Sequence, residues 1–178
     1  MPTPQPLLLS PAPSKCSLEM LAHHYGDIYE HSPWVAEAAW QHGLTEAHDE
    51  PDALAELMGV MLQQASSEQQ IKVIQAHPDL AGKAAMAGEL TQDSTSEQAG
   101  AGLDQCSPEE FARFEYLNAA YKEKFGFPFV IAVKGLDRHD ILAAFEERLN
   151  NDAATERQTA VEQIIRIARF RLRARAEQ

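Results

Sequence analysis

Behind Pro51, the residues Leu54, Leu57, Met58, Met61 and Leu62 recur at steps of three and four. That spacing predicts an amphipathic helix with proline at its first position. The same period appears behind Ser17, in Leu18, Leu21 and Tyr25. It appears again behind Ser32-Pro33, in Trp34, Val35, Ala38 and Ala39, where serine reads as the N-cap and proline as the first helical residue. Ser67 with Gln70 reads as the capping box of a short helix ending near Ala76. Ser107-Pro108-Glu109-Glu110 combines an N-cap, a first-turn proline and a capping-box glutamate, and predicts a helix over 107–124 with Phe111, Phe114, Leu117 and Tyr121 inward. Asp137 to Asn150 reads as another helix, with Ile141, Leu142, Phe145 and Leu149 on its inner face. Asp152 caps a last one that turns Val161, Ile164, Ile165 and Ala168 inward. Only FPFVIAV, residues 127–133, has the composition of a strand, and one strand makes no sheet. It is expected to run extended, with hydrogen-bond partners supplied by loops or side chains. The pattern predicts a single compact all-α domain of about seven or eight helices, with one extended connecting segment near 127–133.

Composition narrows the picture. A chain of 178 residues with 44% apolar positions is the size of one domain with a proper core. Four prolines fall before residue 12, so residues 1–13 are expected to form a flexible tail ahead of a helical domain at 14–178. The longest apolar run, Phe127 to Val133, falls far short of the ~20 residues a membrane span requires. The first fifteen residues lack the basic and apolar regions of a signal peptide. Cys16 and Cys106 form no CxxC pair, which fits free thiols in a reducing, cytoplasmic compartment. His23 and His24 are adjacent and no HxxxH spacing occurs, so no metal site is expected. A net charge of −12 argues against nucleic-acid partners. The basic run Arg166, Arg169, Arg171, Arg173 and Arg175 reads as complementing a helix C-terminus rather than as a binding patch.

Three stretches are odder than helix packing requires. In QAHPDLAGK, Pro78 pushes His77 out of the α region, so an ionisable imidazole sits at a corner, either as a turn residue or as a reagent. In STSEQAGAGL, Ser94, Glu97 and Gln98 share one helix face and read equally as a capping box or as a site. The small residues after them allow close approach of a helix or a ligand. In KFGFPFVIAVKG, glycine and proline interrupt an aromatic run, giving either a buried connection or an apolar pocket wall that offers backbone groups to a planar ligand. Arg148 taken alone reads as a surface cation.

Together with EHSPWVAE (30–37), the motifs HPDLAGK (77–83), SxxEQxxAGL (94–103), LNxxYxxKFGFPFVIAVKG (117–135) and ILxxFxxRLxND (141–152) resemble the OHCU decarboxylase family, in which OHCU is 2-oxo-4-hydroxy-4-carboxy-5-ureidoimidazoline. The resemblance implies an all-helical homodimer that takes a small-molecule substrate in urate catabolism, uses no cofactor and releases (S)-allantoin. It implies that His77 and Glu97 are catalytic, His77 as the acid–base group. Ser94 and Gln98 would bind urea-type groups, Pro78 would pack on the substrate ring, Ile131 and Ala132 would offer backbone groups, and Arg148 would pair with a carboxylate or the ureido oxygen. The alternatives are a decarboxylase of a related ureido acid and a non-catalytic helical binding module.

Overall fold

Helix starts follow local capping chemistry. The computed structural model describes residues 5–82 and 88–177. Among them are eight α-helices: α1 (Leu18–Tyr25), α2 (Trp34–His42), α3 (Pro51–Gln63), α4 (Ser67–Gln75), α5 (Gln92–Gly100), α6 (Pro108–Phe125), α7 (Arg138–Arg148) and α8 (Ala153–Ala176). The all-α expectation holds, and residues 127–133 form no strand. Ser17 Oγ accepts the Met20 N–H, Ser107 and Glu110 close a reciprocal box at the start of α6, and Asp137 and Asp152 cap α7 and α8. Two expected caps move. The box before α4 is Ser66 with Gln69, each donating its backbone N–H to the other's side chain at 3.2 Å, so the Ser67–Gln70 reading is one residue late. Ser32 does not cap α2. Its hydroxyl donates to the Glu30 carbonyl, and Pro33 stands at the cap position without a side-chain bond.

The described residues group into two compact units. One comprises the chain up to Gln69 together with Ile165 onward. In it, residues 9–13 of the expected flexible tail are packed: Leu9 is buried and donates its N–H to the Asp49 carbonyl, and Tyr25 donates its hydroxyl to the Pro11 carbonyl at 2.6 Å. Leu9 and Pro13 are apolar enough to bury, which offsets the cost of ordering the segment. Burial pushes the Tyr25 hydroxyl up to about 12. The buried Cys16 thiol, donating to the Ala12 carbonyl, is also pushed up, chiefly by burial. A Cβ on Gly59 of α3 would lie 2.9 Å from Ile165 Cγ2, so α3 and the middle of α8 pack close at that point. Three arginines of the basic run have specific partners here and are not merely dipole complements. Arg171 donates to Glu30 Oε1 (2.8 Å) and to the Ile28 carbonyl, Arg173 forms a two-pronged pair with Asp52, and Arg175 donates to Asp27 and to the His24 carbonyl.

The second unit, Gln70–Ile164, holds most of α4, all of α5 to α7 and the first part of α8. Its core is aromatic. The rings of Phe129 and Phe145 stack at 4.0 Å between centroids, and Tyr121 meets both edge-on. Every residue proposed for the site lies in this unit.

The Arg171–Glu30 pair is almost fully buried, whereas the Arg173–Asp52 pair is about half exposed. Removing one partner of a buried pair strands a charge, so Glu30→Ala is expected to cost about 3–5 kcal/mol. Asp52→Ala is expected to cost less than about 1 kcal/mol. Denaturant unfolding of the two variants measures this, and equal losses would contradict it.

Candidate active site

The HPDL corner is built by ending a helix on a residue that cannot continue it. At the end of α4 the Ala76 N–H still reaches the Lys72 carbonyl, and the His77 N–H reaches that of Ile74 at 3.1 Å. Pro78 has no N–H to offer and the chain leaves the helix. His77 is 8% exposed, Pro78 and Asp79 are half-buried, and Leu80 and Ala81 are buried. Ala81 has φ +51°, a conformation that L-residues seldom adopt. At Gly82 a Cβ would lie 2.7 Å from the Asp79 Cβ, so the turn closes only on glycine. Lys83, the last residue of the motif, lies outside the described residues.

Helix α5 faces this corner. Its cap is Thr91, whose Oγ1 accepts the Ser94 N–H, so the capping-box reading of Ser94 is corrected. Ser94 sits in the first turn, buried, with Gln98 buried and Glu97 half-buried on the same face. The Gln98 amide bridges the corner: its Oε1 accepts the Ala81 N–H at 3.0 Å, and its Nε2 donates to the Asp79 carbonyl at 3.2 Å. The structure thus brings Gln98 onto the HPDL backbone, with Glu97 the adjacent residue of α5. Of the small residues that follow, Gly102 takes φ +77°, which ends the helix, and Gly100 faces open space.

The 127–133 segment is a buried wall. Gly126 takes φ +80° and closes α6 by donating to the Lys122 carbonyl. Phe127, Phe129, Val130, Ala132 and Val133 are buried, and Ile131 is half-buried. Side chains supply the backbone partners, as the sequence reading expects: the Val130 carbonyl accepts from Arg148 Nη1 at 2.7 Å, and the Ala132 N–H donates to Gln163 Oε1 at 2.9 Å. The Ala132 N–H is therefore engaged within the protein.

Arg148 is no surface cation. It is 9% exposed, its Nε donates to Glu156 Oε1 at 2.8 Å, and its Cζ lies 4.4 Å from the Phe129 ring centroid. Nη2 has no partner among the described residues. Glu156 is wholly buried and also accepts from the Tyr121 hydroxyl (2.6 Å) and from Asn151 Nδ2 (2.9 Å). Burial and then the bond to Glu156 push the Tyr121 hydroxyl far above the usual phenol range. Sequence reasoning passed over Glu156, Gln163 and Asn118. Asn118 did leave a signal: it is an amide in step with Phe114, Leu117 and Tyr121 on the inward stripe of α6.

The structure thus sets the His77 imidazole at a buried corner held by the helix that carries Glu97 and Gln98, within an all-α fold. A family model described as OHCU decarboxylase matches residues 14–173. The 2-oxo-4-hydroxy-4-carboxy-5-ureidoimidazoline decarboxylase of Haloferax volcanii is 41% identical over 151 residues, 85% of this chain and 86% of its own length. The protein of the same name from Halalkalicoccus jeotgali is 40% identical over 147 residues, 83% of this chain and 80% of its own. A crystal structure of (S)-allantoin synthase matches 92% of this chain with a TM-score of 0.71 at 30% identity, and the chain spans 52% of that longer one. The chain belongs to the OHCU decarboxylase family.

The Arg148–Glu156 pair yields a stability prediction. Arg148→Met leaves a fully buried carboxylate short of its strongest donor and is expected to cost about 3–5 kcal/mol. Adding Glu156→Gln removes the stranded charge, so the double variant is expected to be more stable than Arg148→Met alone. Urea unfolding of the set checks this, and simple additivity of the two losses would refute it.

Proposed function

We propose that the chain is a carbon–carbon lyase of urate degradation that converts 2-oxo-4-hydroxy-4-carboxy-5-ureidoimidazoline to (S)-allantoin. The observation that carries the reading is His77, buried on a corner whose backbone is gripped by Gln98, in a chain of this family. The carboxylate of the substrate sits on a carbon next to a ring C=N. As CO2 leaves, the bonding pair moves between the two ring carbons and charge passes to the ring nitrogen. The substrate is its own electron sink, which supports a cofactor-independent reaction. What remains for the protein is to hold the carboxylate out of the ring plane, to neutralise the nitrogen, and to place a proton on one face of the ureido-bearing carbon as the hydroxyl becomes a carbonyl.

In this reading His77 moves the proton, since imidazole exchanges protons near neutral pH. Glu97 hydrogen-bonds the ring or the hydroxyl and orients it. Ser94 and Gln98 meet urea-type groups, Gln98 with whatever capacity the corner leaves it. Pro78 packs on the ring. Ile131 offers backbone groups and Ala132 its carbonyl, while Arg148 presents Nη2 from the wall it anchors. The protein works as a homodimer in the cytoplasm. Its two free thiols suit a reducing compartment, and no helix among the described residues is long and apolar enough to cross a membrane.

The test generates the substrate in place from urate, a uricase and the hydrolase of 5-hydroxyisourate, and follows the chiral signal of allantoin. The protein should speed loss of the intermediate and yield the (S) enantiomer, before and after dialysis against EDTA. His77→Ala should lose about 10²–10⁴-fold in rate while keeping its helicity. Glu97→Gln should retain part of the activity if Glu97 only hydrogen-bonds, and none if it carries the proton. Near-normal turnover of His77→Ala with the same enantiomer would sink the assignment.

The assembly has its own check. Sedimentation equilibrium is expected to return twice the chain mass at micromolar concentration, and a monomer throughout would count against the dimer.

A further inference from the structure

Asn118 is an amide on the apolar stripe of α6, 5% exposed, and its Nδ2 donates to the Leu80 carbonyl at 3.0 Å across 38 residues of sequence. A buried amide on such a stripe destabilises a core unless it satisfies something the fold needs. What it satisfies is the corner. The Asp79 carbonyl, the Leu80 carbonyl and the Ala81 N–H belong to no helix, and the latter two residues are 8% and 1% exposed, out of easy reach of water. Gln98 takes the first and third of these groups, and Asn118 takes the second. The two amides come from different helices and approach the same three residues. Ala81 at φ +51° does not favour the turn by itself, so the conformation is imposed from outside.

The link to the imidazole is short. Leu80 is three residues from His77, and Pro78 between them has a fixed φ, so the stretch has little freedom to absorb a displacement. At its outer edge Asp79 pairs with the Lys122 ammonium, one helical turn beyond Asn118 on α6. At its start, Gln75 Nε2 donates to the Gly126 carbonyl.

We propose that Asn118 is a positioning residue for His77: by holding the Leu80 carbonyl it completes a two-helix clamp that fixes where the imidazole stands against the substrate. This rests on the decarboxylase reading. The full chain is tested as Asn118→Ala, which removes the donor, and as Asn118→Asp, which keeps the shape but turns a carboxylate oxygen toward the carbonyl. A shift of about 1 Å in a reacting group costs on the order of 10²-fold, so kcat should fall by that order with KM little changed. The enantiomeric excess of allantoin should fall too, measured with enough enzyme that the catalysed loss of substrate outruns the spontaneous one. A variant that is merely less stable would lose active fraction but keep KM and enantiomeric excess, and that result would overturn the proposal, as would wild-type kcat. Should neither variant fold, amide exchange on the unaltered protein decides. The Ala81 N–H is expected to exchange as slowly as the core of α6, and exchange at the rate of an open loop would overturn the clamp. That measurement needs no turnover, so it judges the clamp even if the unaltered protein fails to act on the substrate, an outcome that would sink the decarboxylase reading alone.

Discussion

Glu156 is the constraint on which the second unit depends. A carboxylate with no exposure survives in a protein interior only when donors surround it. Among the described residues three donors come from three places: Tyr121 on α6, Arg148 at the end of α7, and Asn151 in the turn before α8. Each bond fixes something further away. Through Arg148 the carboxylate orients the guanidinium that holds the Val130 carbonyl and lies over Phe129, so it is linked to the 127–133 wall through a single side chain. Through Tyr121 it ties α6 to the first turn of α8. Three residues earlier on α6, Asn118 reaches the HPDL corner.

This arrangement suits the chemistry. A substrate that supplies its own electron sink asks for no strong reagent. It asks for the reacting bond to be kept perpendicular to a ring and for a proton to arrive from one side. Those are demands on geometry, and the unit meets them with side chains that hold backbone: Gln98 and Asn118 at the corner, Gln163 and Arg148 at the wall. Irregular backbone is positioned here by amides and a guanidinium from helices, where a sheet-based fold would use a strand ladder.

The sequence made much of this legible. The Ser107–Glu110 box and Asp152 cap as read, and the helices behind Ser17 and Asp137 start where they are expected, whereas Ser32 gives up the cap of α2 to Pro33. Where several hydroxyls or turn residues crowd together the choice slips, as at Ser66 against Ser67 and at Thr91 against Ser94, because the winner is set by which backbone N–H groups the turn leaves open. The HPDL histidine and the SxxEQ face stood out because proline and a triple polar face are unusual inside helical text. Arg148 and Arg171 did not. An arginine at the end of an apolar stripe looks the same whether its partner is water or a buried glutamate far along the chain, and Glu30 lies 141 residues from Arg171. Long-range pairing leaves no local periodicity to read.

The two thiols lead to a point about durability. Burial holds Cys16 toward its protonated form, and burial with the nearby Glu110 carboxylate does the same for Cys106. Peroxide and disulfides react with the thiolate rather than the thiol, so an upward shift lowers the share of each cysteine that is in its reactive form.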